Sequence, residues 1–264
     1  MEAAFFDLDK TVVSKSSSLA LSRPMYRAGL VSRSALLKGA YAQLVYLLLG
    51  ADERKMDRVK ESLLALTKGW DKAQVEHVVR EALMEVVDPY IYAEALDLIN
   101  LHRALGRRVF IVSSSPEEVV RPLAERIGEV EVIATKAKIE DGKYTGELEF
   151  YCYGQGKADM IRRIANEEMI DLTGSYAYSD SITDLPMLEA VAHPVAVNPD
   201  RDLRREAERR GWKIRDFRRP VRLRQRLPQV HAPSPGVAAA AGSVVVAGVL
   251  GWVVLRRFAA GRRA

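Results

Sequence analysis

The sequence predicts an α/β fold with a doubly wound parallel sheet, an inserted block of helices and a C-terminal transmembrane helix. Short apolar runs alternate with helical patterns through most of the chain, which is typical of parallel strands joined by helices. A long stretch with helical periodicity interrupts this alternation after the first strand, and a run of 19 uncharged residues lies near the C terminus. These three observations predict the fold class.

The first strand is the apolar run at residues 3–6, which ends at Asp7. The inserted block covers residues 14–87, with helices that begin at Asp52 and Asp71. Ser115 and Pro116 predict the start of a later helix, with Ser115 as its cap and Pro116 in its first position. The other predicted elements are a helix at 90–105, strands at 108–112 and 130–135, a hairpin at 139–150 that turns at Asp141-Gly142, a helix after Lys157, a strand at 175–179, a helix at 185–191, a strand at 194–197 and a helix at 200–210.

The predicted domain organisation follows from these elements. An α/β core comprises residues 1–13 and 88–216, and a helical cap comprises residues 14–87. The remaining segments are a basic linker at 217–236, a transmembrane helix at 237–255 and a basic tail at 256–264.

Composition excludes several classes of protein. The 264 residues are 48% hydrophobic and 28% charged, as in an ordinary globular protein. The single cysteine, Cys152, excludes an intrachain disulfide, and with four scattered histidines it excludes a structural zinc site of the Cys/His type. Any metal in this protein should therefore be a hard ion held by carboxylates.

The charge is unevenly distributed along the chain. Residues 201–264 carry 16 Lys and Arg against 4 Asp and Glu, whereas residues 1–200 carry 24 against 31. A basic tail on an acidic globule indicates attraction to an anionic partner, either a lipid surface or nucleic acid. The arginine-rich segment has no interleaved aromatic residues and matches no recognised nucleic-acid module, so we expect no nucleic-acid partner.

The uncharged segment at 237–255 is predicted to cross a membrane. As a helix it would span roughly 28 Å, close to the hydrocarbon thickness of a bilayer. A proline-containing stretch precedes it, Arg256 and Arg257 follow it, and the basic linker is suited to contact lipid headgroups. The alternative is a buried helix rich in Ala and Gly. A stripe of small residues at Ser243, Ala247 and Gly251 favours packing against a second helix, so a homodimer is an alternative to a monomer.

The orientation of this segment is less strongly indicated. No N-terminal signal peptide precedes the first strand, which favours a cytoplasmic catalytic domain with a single-pass C-terminal anchor. Arginines flank the segment on both sides, so the positive-inside tendency does not decide the orientation.

Residues with reactive side chains follow several of the predicted strands. Asp7 and Asp9 are suited to hold a hard divalent cation and to supply a nucleophile. Taken singly, each such residue has an ordinary alternative as a turn, a helix cap or a solvated lysine. The carboxyl ends of parallel strands meet at one edge of the sheet, so we expect these residues to converge there. The further members of the set are Ser113 at a strand end, Ser114 at the start of a helix whose free N–H groups attract anions, Lys157 behind two glycines, and Asp180 with Asp184.

In this order the motifs resemble those of the haloacid dehalogenase (HAD) superfamily of phosphatases. The resemblance is to subfamily IB, which has a C1-type helical cap after the first strand and includes phosphoserine phosphatases. The motifs are DLDKT at 7–11, IVS at 111–113, GK at 156–157 and SDSITD at 179–184, followed by LPMLEAV and HPVAVNPD. The resemblance covers residues 1–216 and implies a Rossmann-like core and Mg²⁺-dependent hydrolysis of phosphomonoesters.

The resemblance also implies a role for each residue of the set. Asp7 would be the nucleophile that forms an aspartyl-phosphate, and Asp9 would be the general acid and base. Mg²⁺ would be held by the Asp7 carboxylate, the Asp9 backbone carbonyl and Asp180. Asp184 would orient metal-bound water or the lysine.

The phosphoryl oxygens would be bound by Ser113, Ser114 and Lys157, and Lys157 would also offset the charge of Asp7. These assignments agree with the physics of phosphoryl transfer, which depends on charge neutralisation and in-line positioning.

Three departures separate this sequence from phosphoserine phosphatases. Ser16 stands where those enzymes have an acidic residue that recognises the substrate amino group, nine positions after the nucleophile. Thr183 replaces the usual Asn, and Ser114-Ser115 replaces a double glycine. Since an ammonium would lose a charge-assisted contact at Ser16, phosphoserine is not the substrate that the sequence favours.

The sequence therefore leads to a membrane-anchored, Mg²⁺-dependent phosphomonoesterase that acts on a small or lipid-linked phosphate. The apolar segment 35–49 of the cap either packs in the core of the cap or touches the membrane or an acyl chain. One alternative is a phosphatase of phosphoserine or another soluble metabolite that is merely tethered by its tail. An alternative of another class is a non-catalytic membrane adaptor.

Overall fold

The computed structural model describes residues 1–16, 21, 24–30, 64–86 and 90–221. These residues belong to one compact unit. The described strands are β1 (Ala3–Asp7), β2 (Ile91–Tyr92), β3 (Arg108–Pro116), β4 (Glu131–Glu140), β5 (Lys143–Phe150), β6 (Tyr176–Ser179), β7 (His193–Val197), β8 (Lys213–Arg215) and β9 (Pro220–Val221).

Seven of these strands form a mostly parallel sheet in the order β5-β4-β3-β1-β6-β7-β8. β1 lies near the centre and pairs in parallel with β3 on one side and β6 on the other. The pair β4–β5 is antiparallel and forms the edge. This topology confirms the predicted α/β fold with a parallel sheet.

Helices cover both faces of the sheet. The described helices are α1 (Lys72–Val86), α2 (Ala93–Ala104), α3 (Glu117–Ile127), α4 (Gln155–Glu167), α5 (Leu185–Glu189) and α6 (Arg201–Arg210). The side chain of Phe6 packs in one apolar cluster with buried residues of α2 and α3, and Phe5 packs in a second cluster with those of α4, α5 and α6. Since successive residues of a strand point to opposite faces, β1 contributes to both clusters. Burial of each phenylalanine contributes about 1.5–3 kcal/mol.

Two of the predicted local signals are confirmed. Asp141 and Gly142 connect β4 to β5 with φ values of 49° and 74°, as a two-residue hairpin with positive φ at both positions requires. Asp71 caps α1, because its Oδ1 atom accepts a 2.9 Å hydrogen bond from the backbone N–H of Gln74.

The predicted cap at Ser115 is wrong. β3 continues through Pro116, which pairs with Thr135 of β4, and α3 begins one residue later at Glu117. Pro116 has ψ 144°, an extended conformation, so it is the residue before the helix rather than its first member. The backbone N–H of Ser115 donates instead to the Ser113 hydroxyl at 3.1 Å.

The predicted boundary between core and linker at 216 is too early. Phe217 is 4% exposed, and its backbone exchanges two hydrogen bonds with the Asn198 side chain, of 2.8 and 3.1 Å. β9 then pairs antiparallel with β2. The folded core therefore continues at least to Val221, because burial of Phe217 and the added strand hold this segment in place.

No helix in the described part of the chain is long and apolar enough to cross a membrane. The predicted membrane segment 237–255, the basic tail, the apolar segment 35–49 and the helix start at Asp52 all lie outside the described residues. In the predicted cap, residues 64–67 and α1 are helical.

Candidate active site

Three of the predicted site residues lie at the carboxyl edge of adjacent parallel strands. Asp7 is the last residue of β1, Ser113 lies in the second half of β3, and Asp180 directly follows β6. β3 and β6 flank β1, so the sheet order brings the three positions to the same edge.

Lys157 joins two of the predicted carboxylates directly. Its Nζ atom lies 2.6 Å from Oδ1 of Asp7 and 2.7 Å from Oδ2 of Asp184, and all three side chains are almost fully buried. Burial opposes the charge of Lys157, but Asp184 and Asp7 outweigh this effect and raise the pKa of the ammonium. The lysine therefore carries a positive charge at this edge of the sheet.

Asp7 is buried beside other carboxylates. Burial raises the pKa of Asp7 well above its usual value, while Lys157 opposes this effect and Asp184 and Asp180 add to it. The ionised form of Asp7, which a nucleophile requires, thus depends on positive charge brought close to it.

Two glycines explain how Lys157 reaches the site. Gly154 precedes α4 with φ 52°, in the left-handed region that glycine adopts most readily. Gly156 leaves no room for a side chain, because a Cβ atom there would lie 2.5 Å from the backbone oxygen of Tyr151. This close approach places Lys157 in the first turn of α4 and directs it towards β1.

Asp184 is held by a short turn that follows β6. The residue ends a 3₁₀ helix at Ile182–Asp184, and its backbone N–H donates to the Ser181 carbonyl at 3.1 Å. The Ser179 hydroxyl donates to Oδ2 of Asp184 at 2.7 Å. Ser179 is not among the predicted site residues, because its place before Asp180 at a strand end marks the position of the residue but not its contact with Asp184.

Asp180 is more weakly paired than Asp184. Its nearest cation is Lys10, whose Nζ lies 3.8 Å from Oδ2 of Asp180 and whose side chain is 66% exposed. Burial raises the pKa of Asp180 to about 7, Lys10 opposes the shift, and Asp184 and Asp200 add to it. The backbone of Asp200 fixes the loop, because its N–H donates to the Asp180 carbonyl at 2.7 Å.

The residues present fit a hard divalent cation. Asp7 and Asp184 contact one buried ammonium, and Asp180 is a third buried carboxylate at the same edge of the sheet. A further positive charge there would stabilise the ionised forms of these carboxylates. No three side chains of His, Cys, Asp or Glu in the described residues form a group that could hold a metal. The expected ligand set is of another kind, since it combines two carboxylates with the backbone carbonyl of Asp9.

The remaining predicted residues lie on β3 and on the turn after β1. Ser113 is buried, and Ser114 is exposed, with a carbonyl that accepts a 2.8 Å hydrogen bond from Thr135. Asp9 lies on the turn after β1, and the Ser16 hydroxyl lies 3.5 Å from its Oδ2 atom. Direct contacts therefore join Asp7, Lys157 and Asp184, while the other four predicted residues are placed by their strands and turns.

Comparison with known proteins agrees with this geometry. Residues 4–189 match the haloacid dehalogenase-like hydrolase family. A protein of Mycobacterium tuberculosis (strain ATCC 25618 / H37Rv) named "Probable phosphatase" is 53% identical over 258 residues, which cover 97% of this chain and 90% of that protein. A second protein of the same strain, named a phosphoserine phosphatase, is 33% identical and is covered to 79%, with 93% of this chain aligned.

The fold is also similar to a solved structure described as a phospho-aspartyl intermediate analogue of phosphoserine phosphatase. The two structures superpose with a TM-score of 0.59 at 20% sequence identity, over 85% of this chain and 96% of the other. At this level of identity the similarity concerns the fold alone.

Proposed function

The chain belongs to the haloacid dehalogenase-like hydrolase family and is a phosphomonoester hydrolase, and we propose that it acts through an aspartyl-phosphate formed on Asp7. The observation that carries this proposal is the buried contact of Lys157 with both Asp7 and Asp184. A carboxylate at a strand end with an ammonium at 2.6 Å is suited to approach a phosphate dianion, because the lysine offsets their mutual repulsion.

In this mechanism Asp7 attacks phosphorus, and Lys157 binds a phosphoryl oxygen while it remains close to Asp7. Asp184 and Ser179 hold the lysine in position, since Asp184 accepts from both. Mg²⁺, held by the carboxylates of Asp7 and Asp180 and the carbonyl of Asp9, would supply the positive charge that lets two anions meet.

Asp9 is the proposed general acid and base. It gives a proton to the leaving oxygen in the first step and removes one from water in the second. Its position on the turn two residues after Asp7, rather than in the strand, suits a group that acts beside the nucleophile. Ser113 and Ser114 are proposed to bind the remaining phosphoryl oxygens.

The test is phosphate release by the full chain in detergent with Mg²⁺, compared with two variants. Asp7→Asn should lower kcat by roughly 10³-fold or more, since a carboxamide is a very poor nucleophile. Asp159→Asn is the matched control, because Asp159 lies on the same helix as Lys157 but pairs on the surface with Gln155. Chelation of Mg²⁺ should abolish release and added Mg²⁺ should restore it, whereas an active Asp7→Asn protein would contradict the mechanism.

We propose a small or lipid-linked phosphomonoester as the substrate. A soluble metabolite such as phosphoserine is the second candidate, and the relative named a phosphoserine phosphatase favours it. Ser16 argues against it, because a hydroxyl at that position offers an ammonium no charge. Phosphoserine, glycerol phosphate and lysophosphatidate as substrates distinguish the two candidates. Preferred hydrolysis of phosphoserine would support the second candidate, and preferred hydrolysis of glycerol phosphate or lysophosphatidate would support the first.

We further propose that residues 237–255 anchor the enzyme to a membrane, with the catalytic domain in the cytoplasm. The support is the length of this uncharged segment and the arginines on both sides of it. A single charge at its centre, Val246→Arg, should shift the protein from the membrane fraction to the soluble fraction. Equal partition of the two proteins would contradict the anchor without bearing on the chemistry at Asp7.

A further inference from the structure

A cavity of about 310 Å³ lies between the described cap residues and the α/β core. Cap residues Trp70 and Val75 form part of its wall, and Ser114 and Thr135 form another part. Ser114 follows Ser113 at the carboxyl edge of β3, so the cavity adjoins the place proposed for the phosphoryl group. At about 30 Å³ for each water-sized group, it would hold roughly ten non-hydrogen atoms.

The wall of this cavity is mostly apolar and carries one charge. Leu148, Tyr151 and Trp70 give it aliphatic and aromatic surface. Among the described residues that line it, Glu118 is the only charged one, and there is no Lys, Arg or His. A negatively charged group of a ligand would therefore find no partner of opposite charge in the described wall.

Glu118 itself is buried and incompletely paired. It is 8% exposed, and its Oε2 atom has no hydrogen-bond partner among the described residues. Burial and the Glu118 carboxylate both raise the pKa of Tyr144, so this tyrosine keeps its proton beside Glu118. A buried acceptor without a partner carries a cost that a donor from a ligand would remove.

The nearby basic side chains are engaged elsewhere. Glu118 also borders a separate cleft of about 60 Å³ that Lys72, Arg80 and Arg121 line. Lys72 pairs with Glu76 at 3.6 Å. Arg80 pairs with Glu125 at 3.6 Å, and Arg121 pairs with Glu117. All three cations thus have acidic partners of their own, and the Oε2 atom of Glu118 is left without a partner among the described residues.

We propose that this cavity binds the leaving group of the substrate and that Glu118 selects leaving groups with an apolar body and a positively charged hydrogen-bond donor but no carboxylate. This inference rests on the proposed function. An ammonium or imidazolium would pair with Glu118 while the attached chain or ring fills the apolar wall. A leaving group that also carries a carboxylate would bury that charge near Glu118, where the described wall offers it no cation.

Three aryl phosphates of similar shape test this proposal on the full-length protein. They are 4-ethylphenyl phosphate without a charged substituent, tyramine phosphate with an ammonium, and phosphotyrosine with an ammonium and a carboxylate. We expect kcat/KM to be highest for tyramine phosphate and lowest for phosphotyrosine. The opposite order would overturn the proposal without the use of any variant.

The Glu118→Gln variant then identifies the residue responsible. Loss of the charge should lower kcat/KM for tyramine phosphate about tenfold or more, mainly through KM, and leave 4-ethylphenyl phosphate within about twofold. Glu117→Gln is the matched control, since Glu117 is the neighbouring acid and pairs with Arg121 on the surface. An equal loss on all three esters would assign Glu118 a structural role and overturn the proposal.

The design separates failure of this inference from failure of the proposed function. Hydrolysis of the esters that Asp7→Asn abolishes, but with no preference for tyramine phosphate, contradicts only the role of Glu118. Hydrolysis that survives Asp7→Asn contradicts the proposed function and, with it, the inference. Absence of hydrolysis of all three aryl esters, with glycerol phosphate or lysophosphatidate still hydrolysed, contradicts only the inference.

Discussion

Ser179 donates a 2.7 Å hydrogen bond to the same oxygen of Asp184 that accepts from Lys157. The hydroxyl, the carboxylate and the ammonium form a buried chain that ends at the proposed nucleophile, Asp7. The position of Lys157 therefore depends on Ser179, which acts through Asp184. This relationship makes Ser179 a positioning residue, and it leads to the first prediction.

Ser179→Ala should lower kcat by about ten- to a hundredfold and change KM little, because a hydrogen bond to a charged group contributes about 1.5–3 kcal/mol. Ser179→Thr should retain most of the wild-type kcat if the threonine hydroxyl reaches Asp184. Ser181→Ala, which removes longer contacts of 3.1 and 3.4 Å to Thr183 in the same turn, should have a smaller effect. Steady-state kinetics on one aryl phosphate measures all three, and equal effects of the two alanine variants would contradict the positioning role.

Gly156→Ala should displace the start of α4 and lower kcat, since its Cβ atom would lie 2.5 Å from the Tyr151 oxygen. Such overpacking typically costs about 1–3 kcal/mol of stability. Gly174→Ala is the control, because its Cβ atom would meet the side chain of Glu2 and not backbone, so that the shift falls on Glu2 and its 2.6 Å ion pair with Arg107, away from Lys157. Thermal unfolding and phosphate release should both separate the two variants. A fully active and stable Gly156→Ala protein would show that Lys157 does not need this close approach.

His102 should make stability depend on pH between about 4 and 6.5. Burial lowers the pKa of His102 from 6.5 to about 4, with Arg107 and Arg215 adding to the shift. The unfolded chain binds a proton on His102 more tightly than the folded chain does. The contribution of neutral His102 to the free energy of unfolding is therefore present above pH 6.5 and is lost as the pH falls towards 4. A shift of this size corresponds to roughly 3 kcal/mol.

Urea unfolding of the wild type and His102→Gln at several pH values measures this dependence. As the pH is lowered through this window, the unfolding free energy of the wild type should fall relative to that of His102→Gln. The His102 side chain also contacts the Tyr178 hydroxyl at 2.8 Å, and the glutamine can retain a polar contact there. A difference that stays constant with pH would exclude His102 as the group that titrates.

Phe217→Ala should destabilise the protein by about 3–5 kcal/mol if this residue belongs to the folded core. Phe217 packs edge-on against Tyr92 with ring centroids 5.8 Å apart, next to the pairing of β2 with β9. Arg218→Ala is the control, since its side chain is 80% exposed. Chemical unfolding of the full chain distinguishes them. A loss below about 1 kcal/mol for Phe217→Ala would restore the linker boundary at 216.

The sequence predicted the central part of the fold because its strands are short apolar runs that end in polar residues. Asp7, Ser113 and Asp180 could be placed at one edge from this pattern alone, since the carboxyl ends of parallel strands coincide. β8 and β9 could not be predicted in this way. β8 is three residues long and has basic residues at both ends, and β9 is a proline and a valine.

Contacts that depend on side-chain direction could also not be predicted from the sequence. The motif at 179–184 does not indicate that Ser179 turns towards Asp184. The sequence around Glu118 likewise does not indicate that its Oε2 atom is buried without a hydrogen-bond partner among the described residues. Both are consequences of packing between elements that are distant in the chain. The early start predicted for α3 has a local reason, because Pro116 is favourable both before a helix and in its first turn.

The most direct test of the account is a single-turnover reaction with a ³²P-labelled aryl phosphate, quenched in acid within the first turnover. We expect acid-stable label on the peptide that contains Asp7, removal of the label by hydroxylamine, and no label on Asp7→Asn. Asp9→Asn should retain any label that forms for longer, because the proposed base for hydrolysis is missing. Release of phosphate without any label on Asp7 at any time point would contradict the aspartyl-phosphate mechanism.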